Sequence, residues 1–240
     1  MIELITVSSH RPQQNYYCYD EFFAACRVQK VKPVVLGENG SYKGLISKPK
    51  LLLNYLKNNL NRKKYTIFAD CWDLVFTKNL EEILELFKTF NTEIVFNAER
   101  NLFPRGDLLN LYPEVGTPYR FLNSGFFVGI TESIIGLLDS MDLNRIPDDF
   151  RKSDGSWHHE NDQAYFLEIF TKQPVPMKLD TNCLIAQTLH GEELKDFCFD
   201  NKGCKNLITG TYPVVWHANG GGKTGEIMPK ILDSFRKGLL

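Results

Sequence analysis

The feature that most constrains this chain is an alternation of short apolar runs of strand length with segments whose apolar residues recur at helical spacing. Strand-like runs fall at residues 4–7, 33–37, 65–69, 93–96, 126–130 and 213–216. Between the first two, Phe22, Phe23, Ala25 and Cys26 keep helical spacing. Residues 50–60 then set Leu51, Leu52, Tyr55, Leu56 and Leu60 along one helical face. Helices are also expected at 80–90, 132–140 and 161–171, with a polar-aromatic loop running on to Arg120 and a tight turn at Leu122-Asn123-Ser124-Gly125. Strands alternating with helices imply an α/β fold, a mostly parallel central sheet covered by helices on both faces. No repeat or long linker divides the 240 residues, and 43% of them are hydrophobic, so one domain over residues 1–240 is expected.

Ligands of such sheets bind beyond the carboxyl ends of the strands. Two polar clusters sit at strand exits. Asp70-Cys71-Trp72-Asp73 follows the run at 65–69, and His217-Ala218-Asn219-Gly220-Gly221-Gly222-Lys223 follows the run at 213–216. Two carboxylates left unpaired beside an apolar strand would be costly. Three residues apart on a turn, Asp70 and Asp73 can face one hard cation; the plainer alternative is a turn in which one Asp caps the next segment. His217 reaches the same rim and supplies a third ligand. The glycines let backbone N–H groups approach an anion, Asn219 can donate a hydrogen bond, and Lys223 adds a point charge for phosphate. Trp72 either stacks on a flat base or packs under a neighbouring loop.

Charge narrows the partners. With 28 basic against 29 acidic residues the net charge is -1, which argues against a nucleic-acid binder and makes any phosphate recognition local. No run of 18 apolar residues occurs, and the start reads as a first strand rather than a signal peptide. A soluble protein, cytoplasmic by default, is the expectation. Six scattered cysteines form no CxxC and read as isolated buried thiols. Cys198 and Cys204, flanking the turn at 200–203, could pair in an oxidising compartment. The sequon Asn39-Gly40-Ser41 does not decide location.

Several ordered motifs carry a resemblance: Ile5-Thr6-Val7, Thr66-Ile67-Phe68-Ala69-Asp70-Cys71-Trp72-Asp73, Phe96-Asn97-Ala98-Glu99, Tyr112-Pro113-Glu114-Val115-Gly116-Thr117, Arg120-Phe121-Leu122-Asn123-Ser124-Gly125 and Val215-Trp216-His217-Ala218-Asn219-Gly220. Over residues 5–223 the chain resembles the GT-A-like glycosyltransferase domain of the procollagen lysyl hydroxylases. The resemblance implies Asp70, Asp73 and His217 as Mn²⁺ ligands and Trp72 against the uridine of a UDP-sugar. It sets Thr6 and Val7 at the nucleotide, Asn219, Gly220 and Lys223 beside the diphosphate, Lys48 near the donor, and Asn123 before the sugar site. Two departures stand out. The family's aspartate run reads His158-His159-Glu160-Asn161-Asp162-Gln163 here, and Phe103 replaces a tryptophan in the acceptor region.

The resemblance implies transfer of glucose or galactose from a UDP-sugar to a hydroxyl of a protein or glycan, hydroxylysine or galactosyl-hydroxylysine of a collagen-like protein being the family's acceptor. Too few residues follow 223 for an oxygenase part, so a stand-alone transferase is expected. Asp162, with Asn161 and Asn123, is the candidate for the reacting centre; the alternative is that Asp162 caps a helix. Glu99 and Asp180 read as structural or as supports behind the site's own residues, and His158 and His159 as a solvated surface. A UDP-sugar hydrolase and a catalytically inactive sugar-nucleotide-binding scaffold are the competing functions.

Overall fold

The computed structural model describes residues 1–8, 18–38, 40–42, 44–144, 161–220 and 224–236. Strand β1 (Ile2–Val7) is buried from Leu4 onward and pairs in parallel with both β2 (Val34–Leu36) and β3 (Tyr65–Ala69). The sheet continues through β6 (Phe121–Ile130), β5 (Ile94–Glu99) and β7 (Met177–Leu179), in the order β2-β1-β3-β6-β5-β7. Five strands point one way; β6 alone runs against its neighbours β3 and β5. The mostly parallel sheet expected from the alternation is therefore present, with one inverted strand near its centre.

Helices cover both faces because the pleat sends successive side chains to opposite sides. Leu4, Ile67, Val95 and Val128 meet α1 (Tyr19–Val28), α3 (Leu80–Thr89) and α6 (Thr224–Arg236) through Phe22, Phe87 and Ile231. Their neighbours Ile5, Phe68, Phe96 and Phe127 meet α2 (Ser47–Asn58), α4 (Thr131–Asp139) and α5 (Asp162–Lys172) through Leu52, Leu137 and Phe166. The rings of Phe68 and Phe127 stack across adjacent strands at 5.1 Å. No helix among the described residues is long and apolar enough to cross a membrane.

A second sheet, β4 (Leu74–Phe76), β11 (Val215–His217) and β8 (Ala186–Thr188), has β11 in its middle. His217 stands opposite Leu74 on one side and Thr188 on the other, and Ala218 N donates to Asp73 O at 2.7 Å. These backbone bonds hold the two polar clusters side by side.

Two expectations need correction. Leu122-Asn123-Ser124-Gly125 is not a turn before a strand but part of β6. Its register against β5 jumps from Phe96↔Phe127 to Asn97↔Asn123, so Ser124, Gly125 and Phe126 bulge out without partners on β5. Cys198 and Cys204 do not pair. On the hairpin of β9 (Phe197–Asp200) and β10 (Gly203–Asn206), Cys198 opposes Lys205 while Cys204 opposes Phe199, so the thiols face opposite sides, one exposed and one buried.

Candidate active site

Asp70 and Asp73 lie on the turn joining β3 to β4, and His217 closes β11 beside them. One ligand atom from each lies within 4.8 Å of the others. The imidazole sits there because β6 has no side chain at Gly125: a Cβ at that position would stand 2.1 Å from His217 Cε1. His217 Nε2 is 3.3 Å from Asp73 Oδ1, and its Nδ1 is buried without a hydrogen-bond partner. Two carboxylate oxygens and one imidazole suit a cation such as Mn²⁺. An orphaned buried nitrogen and a glycine-made cradle fit that use better than they fit a turn with a capping Asp.

The surrounding charges are unequal. Lys48, at the start of α2 and buried, donates to both oxygens of Asp70 at 3.0 and 2.9 Å and lies 3.2 Å from Asp162 Oδ2. Burial raises Asp70, and Asp73 and Asp162 add repulsion, so despite Lys48 its carboxyl is pushed up to about 6. Burial would raise Asp73 too, but the charge and hydrogen bond of His217, with Lys48, hold it below the usual carboxylate range. For His217, burial alone would lower the pKa, and Asp73 with Asp70 outweighs it and raises it. Three carboxylates facing one lysine leave an excess of negative charge that a divalent cation would neutralise.

Two chambers meet at this cluster. The smaller, about 210 Å³, is lined by Val7, Tyr42, Cys71 and Trp72; the larger, about 650 Å³, includes Glu99, Phe103, Asn123, Asp162, His190 and Gly220. Leu45, Lys48, Asp70 and Asp73 line both. The volume of the larger falls in the range of ordinary ligand pockets, roughly 300–1,000 Å³.

The predicted residues divide accordingly. Val7 and Trp72 reach the small chamber; Trp72 Nε1 donates to Ser8 Oγ at 3.1 Å, and the ring also packs on the core beneath. Thr6 is fully buried within the sheet. Asn161, Asp162, Asn123, Asn219 and Gly220 reach the large chamber. Asn219 is not a loose donor: its Oδ1 accepts from Leu189 N and His190 N, and its Nδ2 donates to Glu99 Oε2 at 3.0 Å. Asp162 is not the helix cap. Asn161 caps α5 by accepting from Gln163 N at 3.0 Å, which leaves the buried Asp162 carboxylate to Lys48 and Ser124. Lys223, Gly221, Gly222, His158, His159 and Asn39 lie outside the described residues.

Glu99 takes the supporting place expected of it, and two residues, Gln163 and His190, were missed. Glu99 ends β5 3% exposed, receiving amide donors from Asn123 at 3.1 Å, Gln163 at 2.8 Å and Asn219. Burial raises its pKa against those amides. It is the hub of the large chamber's wall, and its position after an apolar strand was the available signal. Gln163 ties that hub to the Phe103 carbonyl at 2.7 Å. His190 enters the chamber from just beyond β8, a strand too short to read. Asp180, by contrast, is structural as expected: it accepts from the backbone of Leu184, Ile185 and Ala186.

Fold and site together define an α/β protein whose strand exits carry an Asp/Asp/His cluster at the wall shared by two chambers. A family model described as the PLOD GT domain matches residues 1–227, so the chain belongs to the family of glycosyltransferase domains found in procollagen lysyl hydroxylases. It is a glycosyltransferase domain of that family. Procollagen-lysine,2-oxoglutarate 5-dioxygenase of Drosophila melanogaster is 33% identical over 220 residues, covering 84% of this chain and 29% of that protein. The Mus musculus enzyme 1 is 29% identical over 205 residues, covering 80% and 26%. The chain thus spans less than a third of the length of these relatives. Among solved structures, a galactosyltransferase crystallised with donor and acceptor sugar analogues aligns over the whole of both chains at 11% identity and TM-score 0.49. Mouse xyloside xylosyltransferase 1 aligns over 84% of this chain and 71% of its own at 17% identity and TM-score 0.44. Likenesses this distant add no weight to the family assignment.

Proposed function

We propose that this chain is a metal-dependent transferase, one domain over residues 1–240, that moves a hexose from a UDP-sugar to a hydroxyl acceptor. The observation that carries this is the convergence of Asp70, Asp73 and His217 on the wall between a small, aromatic-lined chamber and a larger polar one. A uracil fits the small chamber, where Trp72 offers a flat face and Val7 an apolar one. The three ligands would hold Mn²⁺, which supplies Lewis-acid stabilisation of a diphosphate leaving group. Lys48 places a fixed positive charge beside the same point, and Gly220 leaves its backbone open to an anion. Asp162, held by Lys48 and Ser124, is the carboxylate facing the reacting sugar; Asn123 and Asn161 shape the wall around it. Lys223 is proposed as a further phosphate contact. Glucose or galactose is proposed as the sugar, and hydroxylysine or galactosyl-hydroxylysine of a collagen-like protein as the acceptor; the relatives' names, which carry procollagen-lysine, support the acceptor class alone.

The test combines binding and turnover. UDP with Mn²⁺ should raise the melting temperature of the wild type, as ligand linkage requires. Asp73→Ala should lose both that shift and Mn²⁺-dependent nucleotide release from UDP-glucose or UDP-galactose. Undiminished release by the variant in manganese buffer would sink the assignment. Nucleotide release indifferent to every collagen-like acceptor would instead identify a hydrolase, and no stabilisation by UDP plus Mn²⁺ an inactive scaffold.

A further inference from the structure

We propose that His190 is a binding residue for a ring hydroxyl at the sugar end of the substrate, an assignment that rests on the transferase reading above. His190 lines the large chamber and not the small one, whereas Asp70 and Asp73 line both. A ligand with its base at Trp72 and its diphosphate at the cation brings its hydroxyls into the large chamber, whose wall His190 forms.

The segment carrying His190 is built to hold the ring still. Its backbone N–H, with that of Leu189, donates to the side-chain oxygen of Asn219 at 3.1 and 3.0 Å. The next residue, Gly191, takes a left-handed turn at φ +84°, and Glu192 beyond it is buried against Arg100 and Tyr119. Gly220 makes room for the ring: a Cβ there would stand 2.8 Å from His190 Nδ1. A half-buried imidazole fixed at its backbone and seated on a glycine loses little freedom when it binds. It offers a sugar both a hydrogen-bonding nitrogen and a flat apolar face. Two anchors and a glycine seat exceed what a solvated surface histidine needs.

The test uses the full chain with Mn²⁺ and two variants. His190→Ala removes the ring; His190→Phe keeps its packing on Gly220 while removing both nitrogens. Calorimetry measures Kd for UDP, UDP-glucose and UDP-galactose, and turnover gives KM for a galactosyl-hydroxylysine peptide. In both variants Kd for UDP should match the wild type. One of two values should rise about tenfold, the size of one lost hydrogen bond. A rise in Kd for a UDP-hexose assigns the hydroxyl to the transferred sugar; a rise in acceptor KM assigns it to the acceptor. The proposal is overturned if UDP itself weakens by the same factor, which would put His190 at the diphosphate. It is equally overturned if His190→Phe behaves as wild type in every measurement. A wild type that binds no UDP would defeat the transferase reading first, a different result from a null confined to the variants.

Discussion

Gly125 shows how much one missing methyl group can decide. Any side chain there would enter the His217 ring, so Gly125→Ala should displace the imidazole and abolish Mn²⁺ binding measured by titration. Gly116→Ala is the control: nothing lies within 4 Å of its Cβ position, and binding should be unchanged. The cluster's titration gives a second expectation. Metal ligands bind deprotonated, and Asp70 is pushed up to about 6 while His217 lies above its ordinary 6.5. Mn²⁺ affinity should therefore climb as pH rises through 6 and beyond His217's raised value. Without metal the sign reverses. A raised folded pKa contributes stability that is complete below the unfolded value and lost as pH rises through the folded one. Melting curves across pH 5–8, with and without saturating Mn²⁺, should slope in opposite directions. Asp70, Asp73 and His217 were legible as polar residues that follow apolar runs, whereas the pairing of β11 with β4 that brings them together in a second sheet was not. Nor were the roles of Gln163 and His190, since each depends on partners brought from distant strands.

At the scale of elements, α5 illustrates how neighbouring residues divide two tasks. Asn161 satisfies the helix's free amides and Asp162 turns into the chamber. Asn161→Ala should cost about 1 kcal/mol in denaturant unfolding, as should Asn79→Ala at the capping box of α3. Only the former should also alter nucleotide-sugar binding, because only Asn161 lines the cleft. The long elements were readable from periodicity: β3 occupies the expected residues, and α1, α2 and α3 differ from expectation by a few positions. Strands β4, β7 and β8 have three residues each, too few to show a period of two, whereas β11, equally short, showed itself as the apolar run at 213–216. The start of β6 misled because Asn-Ser-Gly normally signals a turn, whereas here Asn123 pairs with Asn97 and the bulge begins at Ser124.

For the molecule as a whole, stability and site share one junction, the small sheet. Trp216 on β11 is fully buried against Phe197, with ring centroids 5.8 Å apart. Trp216→Ala should cost about 3–5 kcal/mol in urea unfolding, and fluorescence and circular dichroism should report one common transition if both sheets unfold together. The bulge in β6 carries a consequence for assembly. Its opened backbone is a mould that His217 fills, yet His217 is synthesised long after β6 has emerged. A nascent chain halted before β11 could pair its main sheet and still hold no competent cation site. Competence would then arrive with the final docking event, because Asp70 and Asp73 are in place before the third side chain is made.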